Sequence, residues 1–240
     1  MLKINSLNYQ VAKDTGKKKG FALKNISFQL ESGYIMGLLG KNGAGKSTLL
    51  KLLCSAIPAD SGDIIFHGRK VCEELLAFRQ EIAYIGSEAA FFNYRTLQEN
   101  IQMLGKFYDS FDKNILDEYL TRFELSEKKL SRAYKELSSG EKCKFQLAFS
   151  LAHKPKLLLL DEPTANLDAV LRMELMELLQ ELVAKEKITI IISTHILQDI
   201  EEIADYIGVL KEGELVVFDD RETLMEQYGQ MDLEEILLSF

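Results

Sequence analysis

The chain opens on alternation. Leu2, Ile4, Leu7 and Tyr9 stand among polar residues, and after a Lys/Gly-rich stretch at Asp14–Gly20 the alternation resumes at Ile26, Phe28 and Leu30. A period of two belongs to strands with one wet face, so these stretches predict an antiparallel β layer. Tyr34–Leu39 is apolar throughout, the pattern of a strand covered on both faces. A glycine-rich loop follows it, and Ser47–Cys54 reads as a helix. Asp63–Phe66 is a short strand ended by His67-Gly68. Residues 95–137 read as mostly helical, with candidates over Asn100–Phe107 and Asn114–Phe123. Leu157–Leu160 and Ile188–Ile192 are further buried strands, and between them Leu171, Leu175, Leu178, Leu179 and Leu182 recur at helical spacing. Ile207–Leu210 and Glu214–Phe218 flank a Lys-Glu-Gly turn and predict a hairpin. Strands alternating with helices give an α/β fold, with the middle helical stretch inserted into it.

The loop after the first buried strand is Gly40-Lys41-Asn42-Gly43-Ala44-Gly45-Lys46-Ser47-Thr48. A glycine, four free positions and Gly-Lys-Ser form the P-loop pattern. Glycines allow backbone conformations closed to other residues, so successive N–H groups turn inward toward phosphate oxygens. The helix that starts here adds its positive end. Lys46 is then the residue for the β- and γ-phosphates and Ser47 the hydroxyl for Mg²⁺. A chance glycine turn also matches the pattern, but it needs neither the apolar strand before the loop nor the helix after it.

Leu157-Leu158-Leu159-Leu160-Asp161-Glu162 supplies the second half of such a site. An apolar strand ending in a solvated carboxylate is common. Downstream of a P-loop it places Asp161 at the carboxyl end of a sheet strand, where ligands bind in α/β folds and where an acidic residue holds magnesium. Glu162, one residue on, faces the place of an attacking water and is the candidate general base.

With these residues the chain resembles the nucleotide-binding domain of ABC transporters over nearly its whole length. Leu137-Ser138-Ser139-Gly140-Glu141 resembles the family signature Leu-Ser-Gly-Gly-Gln, Pro163-Thr164-Ala165-Asn166-Leu167-Asp168 the stretch that leads into the D-loop, and His195 after Ile191-Ile192-Ser193-Thr194 the switch histidine. The resemblance implies one domain, 1–240: a P-loop NTPase (RecA-like) core, an antiparallel β layer about 1–30 and 60–70, and a helical subdomain about 88–140. It implies two domains closing head to tail on two ATP molecules, with Ser138, Ser139, Gly140 and Glu141 acting on the partner's nucleotide and His195 supporting Glu162. A hydroxyl, backbone N–H groups and a helix start at Ser138 and Gly140 suit phosphate. His67 and His153 read as structural.

Three positions depart from the family. Ser87 stands where a glutamine usually touches Mg²⁺ and water and senses the membrane partner; serine is shorter and reaches the metal only through water, so slow or differently coupled hydrolysis is expected. Ser139 adds a Cβ, and Glu141 adds negative charge near phosphates, both expected to weaken closure. Tyr9 is the candidate ring for stacking on adenine, but ungapped spacing puts Val11 there and leaves Tyr9 a sheet residue; both readings stand. The segment Ala89-Ala90-Phe91-Phe92-Asn93-Tyr94-Arg95 falls where the family receives a permease's coupling helix, and a division of its rings between packing and partner contact is expected.

Composition adds limits. The 240 residues are 47% hydrophobic and 28% charged, ordinary for a globular domain. A net charge of −8 argues against a nucleic-acid partner. The three cysteines, Cys54, Cys72 and Cys143, are odd in number and widely spaced, so neither a disulfide framework nor a zinc site is suggested. The N-terminus lacks a signal peptide's apolar core, and no apolar run approaches the ~20 residues that span a bilayer. The expectation is a protein on the cytoplasmic face of the membrane, held by a permease on a separate chain. One P-loop per chain implies a homodimer or a paralogous ATPase partner. The tail Asp232-Leu233-Glu234-Glu235-Ile236-Leu237-Leu238 is similar to that of drug- and peptide-exporter ATPases and favours export. Two rivals stand beside this reading: a soluble ABC-type ATPase switch without a membrane partner, and a regulatory subunit that binds ATP but hydrolyses it weakly.

Overall fold

The computed structural model describes residues 1–11, 21–86, 91–165 and 167–228. The turn expected at 14–20, Ser87 to Ala90, Asn166 and the tail at 232–238 lie outside the described residues. Two sheets form. One is antiparallel in the order β2-β1-β4-β5, from β1 (Leu2–Gln10), β2 (Ala22–Leu30), β4 (Ser61–Phe66) and β5 (Arg69–Lys70). The other has the order β10-β9-β3-β8-β7-β6, from β3 (Ile35–Leu39), β6 (Ile82–Ile85), β7 (Leu157–Asp161), β8 (Thr189–Thr194), β9 (Tyr206–Lys211) and β10 (Glu214–Asp220). It is parallel except for β10, which returns along β9 as the expected hairpin.

The helices are α1 (Lys46–Leu53), α2 (Leu75–Gln80), α3 (Leu97–Leu104), α4 (Lys113–Arg122), α5 (Glu127–Leu130), α6 (Ser139–Leu151), α7 (Ala169–Glu186), α8 (Gln198–Glu201) and α9 (Arg221–Tyr228). β3 and β8 are buried at every position, β3 apolar throughout and β8 around Ile190–Ile192. Alternate residues of the central strands serve two clusters. Leu157, Leu159 and Ile191 join Leu49 and Leu50 of α1 and Leu7 and Ile26 of the antiparallel layer. Leu158, Leu160, Ile190 and Ile192 join Phe145 and Ala148 of α6 and Leu175 and Leu179 of α7. Each fully buried leucine contributes about 1.5–3 kcal/mol.

Several boundaries differ from the sequence expectation, among them β4 (from Ser61, not Asp63), α4 (Lys113–Arg122, not Asn114–Phe123) and β8 (Thr189–Thr194, not Ile188–Ile192); two further ones have a clear local cause. Gly33, at φ 77°, turns the chain before the first buried strand, so β3 starts at Ile35 and Tyr34 is exposed. α3 begins at Leu97 rather than Asn100 because Thr96 and Glu99 form a reciprocal cap: Glu99 N donates to Thr96 Oγ1 at 3.1 Å and Thr96 N donates to Glu99 Oε2 at 2.8 Å. The helix then tightens to a 3-10 turn over Gly105–Phe107.

The register of the parallel sheet places the site. Leu39 pairs with Thr194 and Asp161 with Ser193. The carboxyl ends of β3, β7 and β8 therefore lie along one edge, and the chain leaves them at Gly40, Glu162 and His195.

Candidate active site

The loop after β3 needs its glycines for two reasons. Gly43 and Gly45 take φ of 83° and 113°, values that favour glycine. Gly40 and Gly45 also sit where no Cβ fits: one at Gly40 would lie 2.4 Å from Leu210 O, and one at Gly45 would lie 2.5 Å from the Phe21 ring. Gly213, in the β9–β10 turn, donates its N–H to Ala44 O at 3.1 Å and buttresses the loop from behind. Lys41, Asn42 and Gly43 are exposed at the tip, Ala44 is buried, and Thr48 is half-buried in the first turn of α1. Lys46 is 4% exposed; its Nζ donates to Gly40 O at 2.7 Å and pairs with Glu162 Oε1 at 3.2 Å.

Asp161 closes β7 beside this loop. Its Oδ1 accepts from Ser47 Oγ at 3.0 Å and Ser193 Oγ at 2.8 Å, and its Oδ2 accepts from Tyr84 Oη at 3.0 Å. Glu162 follows at φ 48°, a left-handed conformation costing a non-glycine residue about 1–2 kcal/mol. Its N–H donates to both O and Oγ of Ser193 at 3.1 Å, and those bonds hold the turn. The turn delivers the carboxylate between Lys46 and His195, whose Nδ1 lies 3.1 Å from Glu162 Oε2. The structure thus brings together Lys46, Ser47, Asp161, Glu162 and His195.

The turn is pinned from beneath by a carboxylate that sequence reading missed. Asp199 of α8 is 3% exposed. Its Oδ2 accepts from Thr164 Oγ1 at 2.5 Å and from Thr194 Oγ1 at 3.4 Å, and Arg172 of α7 lies 3.3 Å from Oδ1. Thr164 is two residues after Glu162, and Thr194 immediately precedes His195. One buried carboxylate therefore ties the segment after Glu162 to the residue before His195.

The signature region is a second assembly. Ser138 caps α6 by accepting from Glu141 N at 3.2 Å, while Ser138 N donates to Glu141 Oε2 at 3.0 Å. Lys129 and Arg132 approach the same carboxylate at 3.2 and 3.6 Å. The Ser138 N–H, with help from these cations, holds the Glu141 carboxyl below its usual range. The negative charge expected to face phosphate is thus satisfied within the subunit, folded back on its own helix. At Gly140 a Cβ would lie 2.9 Å from the tip of the Leu171 side chain. Ser138 and Ser139 are exposed at the helix start.

Tyr9 pairs with Leu23 and packs against the antiparallel layer's core, as a sheet residue does. Val11 is 43% exposed. The ring found against the phosphate loop is that of Phe21, over Gly45, which no local signal marked. His67 stacks on Phe66 at 4.1 Å and His153 on Tyr108 at 4.0 Å, so both are packing residues. Cys54 and Cys143 are half-buried and Cys72 is exposed. Burial pushes the Cys143 thiol up to about 11.

The donor atoms suit a magnesium nucleotide. Ser47 Oγ and Asp161 Oδ1 are hard oxygens already 3.0 Å apart, and Mg²⁺ is commonly held by one carboxylate together with substrate phosphates. Parallel sheet, glycine cradle and lysine–carboxylate cluster define a P-loop nucleotide hydrolase. Residues 23–165 match the ABC transporter family. The ABC transporter ATP-binding protein YtrB of Bacillus subtilis is 38% identical over 88% of this chain and 71% of its own length. The lantibiotic transport ATP-binding protein SrtF of Streptococcus pyogenes is 34% identical over 98% of this chain and 99% of its own. A solved ATP-binding subunit of an ABC transporter, 26% identical, superposes with a TM-score of 0.85 over 99% of this chain and 98% of that one. The chain belongs to the ABC transporter family, as an ATP-binding, ATP-hydrolysing subunit.

Proposed function

We propose that this subunit hydrolyses ATP in a head-to-tail pair and thereby drives a permease on a separate chain, from the cytoplasmic face of the membrane, in the direction of export. The observation that carries the chemistry is Glu162 held between Lys46 and His195 at 3.2 and 3.1 Å. Phosphate competes with Glu162 for Lys46, and a carboxylate released from that pair accepts the proton of the attacking water. His195 orients Glu162 through Nδ1. Backbone N–H groups of 40–48 and the start of α1 bind the phosphates. Ser47 and Asp161 would hold Mg²⁺, which neutralises charge on the β- and γ-phosphates when bound. Ser138 and the exposed start of α6 serve the nucleotide of the opposing subunit, a homodimer mate or a paralogue.

Phe21, rather than Tyr9, is the ring we assign to the base side of the nucleotide, because it lies on the phosphate loop. The chain divides as 1–30 with 60–70 in the β layer, 88–140 in the helical part and the remainder in the core. Phe92 and Tyr94, 47% and 81% exposed, offer apolar surface to the permease. Among the described residues no helix is long and apolar enough to cross a membrane. The name of SrtF, a lantibiotic transport protein, supports a transport role.

A steady-state Mg²⁺-ATPase assay with light scattering tests the proposal. Wild type turns over, Glu162→Gln accumulates an ATP-bound pair, and Lys46→Ala does neither. Binding and pairing without wild-type turnover would instead support the weakly hydrolysing regulatory subunit.

A further inference from the structure

Gly86 and Phe91 are each held by one helix, α6. Upstream, buried Gly86 donates its N–H to Gln146 Oε1 of α6 at 3.2 Å. Downstream, Phe91 stacks on Tyr134 at 5.2 Å between centroids and meets Phe145 and Phe149 of α6 at 5.0 and 5.2 Å. The two anchors are themselves joined, because Gln146 Nε2 donates to Tyr134 Oη at 2.7 Å. Gln146 and Tyr134 are 6% and 4% exposed. A buried amide that fills both of its ends with partners from two different segments holds those segments in one register.

Gly86 is also packed against the site. A Cβ there would lie 2.9 Å from Tyr84 Oη and 3.1 Å from Asp161 Cβ. Tyr84 Oη in turn donates to Asp161 Oδ2 at 3.0 Å. With so little free space, a displacement of Gly86 is passed on to Tyr84 and Asp161 rather than absorbed. Gln146 lies about two turns along α6 from its Ser138 cap, so the helix that presents the signature also grips the strand end beside the metal-side carboxylate.

We propose that Gln146 is a positioning residue that couples α6 to Asp161 through Gly86 and Tyr84, so that Asp161 is set for hydrolysis by the position of the signature helix. This rests on the proposed roles of Asp161 and α6. Two variants cut the chain of contacts at different depths. Gln146→Leu removes both hydrogen bonds. Tyr134→Phe keeps the ring against Phe91 and removes only the hydroxyl, which makes it the variant safest for folding.

The experiment measures kcat for Mg²⁺-ATP, Mn²⁺ affinity of the ATP-bound protein by paramagnetic resonance, and ATP affinity in chelator. Each variant is expected to lose about tenfold in kcat, the scale of a small misplacement at a catalytic centre. Mn²⁺ binding should weaken several-fold, while metal-free ATP affinity stays within about twofold. The double variant should be no worse than the worse single one, because both interrupt one path. Unchanged kcat and Mn²⁺ affinity in folded Tyr134→Phe and Gln146→Leu overturn the proposal, as does a loss shared equally by metal-free ATP binding. A wild type without turnover defeats the ATPase reading but leaves the Mn²⁺ measurement to decide the coupling. A wild type that binds ATP but no Mn²⁺ defeats both.

Discussion

Glu162 and Glu141 both occupy motifs proposed to meet phosphate, and the fold handles their charges in opposite ways. Glu162 leaves β7 through a left-handed turn, at φ 48°, and reaches Lys46 on one side and the exposed ring of His195 on the other. Glu141 turns back on its own helix, accepts the Ser138 N–H, and lies within 3.6 Å of both Lys129 and Arg132. The first carboxylate is presented at some backbone cost. The second is withdrawn, and its withdrawal stabilises a helix start. Identity and neighbouring motif do not decide a charge's role; the hydrogen bonds that the local backbone offers decide it.

The contrast can be broken most sharply at Glu162. Replacing it by Gln keeps the shape and removes the base, so kcat should fall about a thousandfold, within the range of general-base catalysis. Retention of a tenth of the activity would mean that the presented carboxylate is not the base. The next largest effect lies at the far end of α6. Burial holds the His153 imidazole down to about 4 from an ordinary 6.5. Between those values the unfolded chain binds the proton and the folded chain does not. Stability is therefore complete above about pH 6.5 and falls as the pH drops, by about 3 kcal/mol at pH 4. Denaturant titrations of wild type and His153→Phe across this window should show a shallower slope in the variant, most clearly between about pH 5 and 6.5, above the range where carboxyls titrate.

Asp199→Asn tests whether Glu162 and His195 depend on the pin below them. About a tenfold loss of kcat with ATP affinity retained is expected, on the scale that misplaced catalytic groups produce. An equal loss in both would assign Asp199 to the fold alone. The smallest effect is at Glu141. Gln should cost about 1 kcal/mol of stability, the worth of a helix cap, measured by thermal unfolding, and should leave ATP affinity unchanged. A marked gain in affinity would show that the carboxylate does face phosphate.

What the residue order determined is local. Gly40 to Thr48 announces its loop because the glycines and the helix start are consecutive. The strands at Leu157–Asp161 and Thr189–Thr194 are legible from the apolar runs Leu157–Leu160 and Ile190–Ile192, and Asp161 and His195 stand out just beyond them. The same locality explains what was missed. Ser193 is a polar residue in an apolar strand, a signal that some partner is needed, but only the β7–β8 register names that partner as Asp161. Tyr84 and Phe21 meet the site, and Gln146 and Asp199 its surroundings, across long sequence separations. The start of α3 depended on a cap that outweighed apolar spacing. Motifs written by neighbours in the chain can be read from it, because their geometry is fixed by a few dihedrals. Contacts between distant segments follow from sheet order, register and close packing, and these are settled only when the whole core assembles.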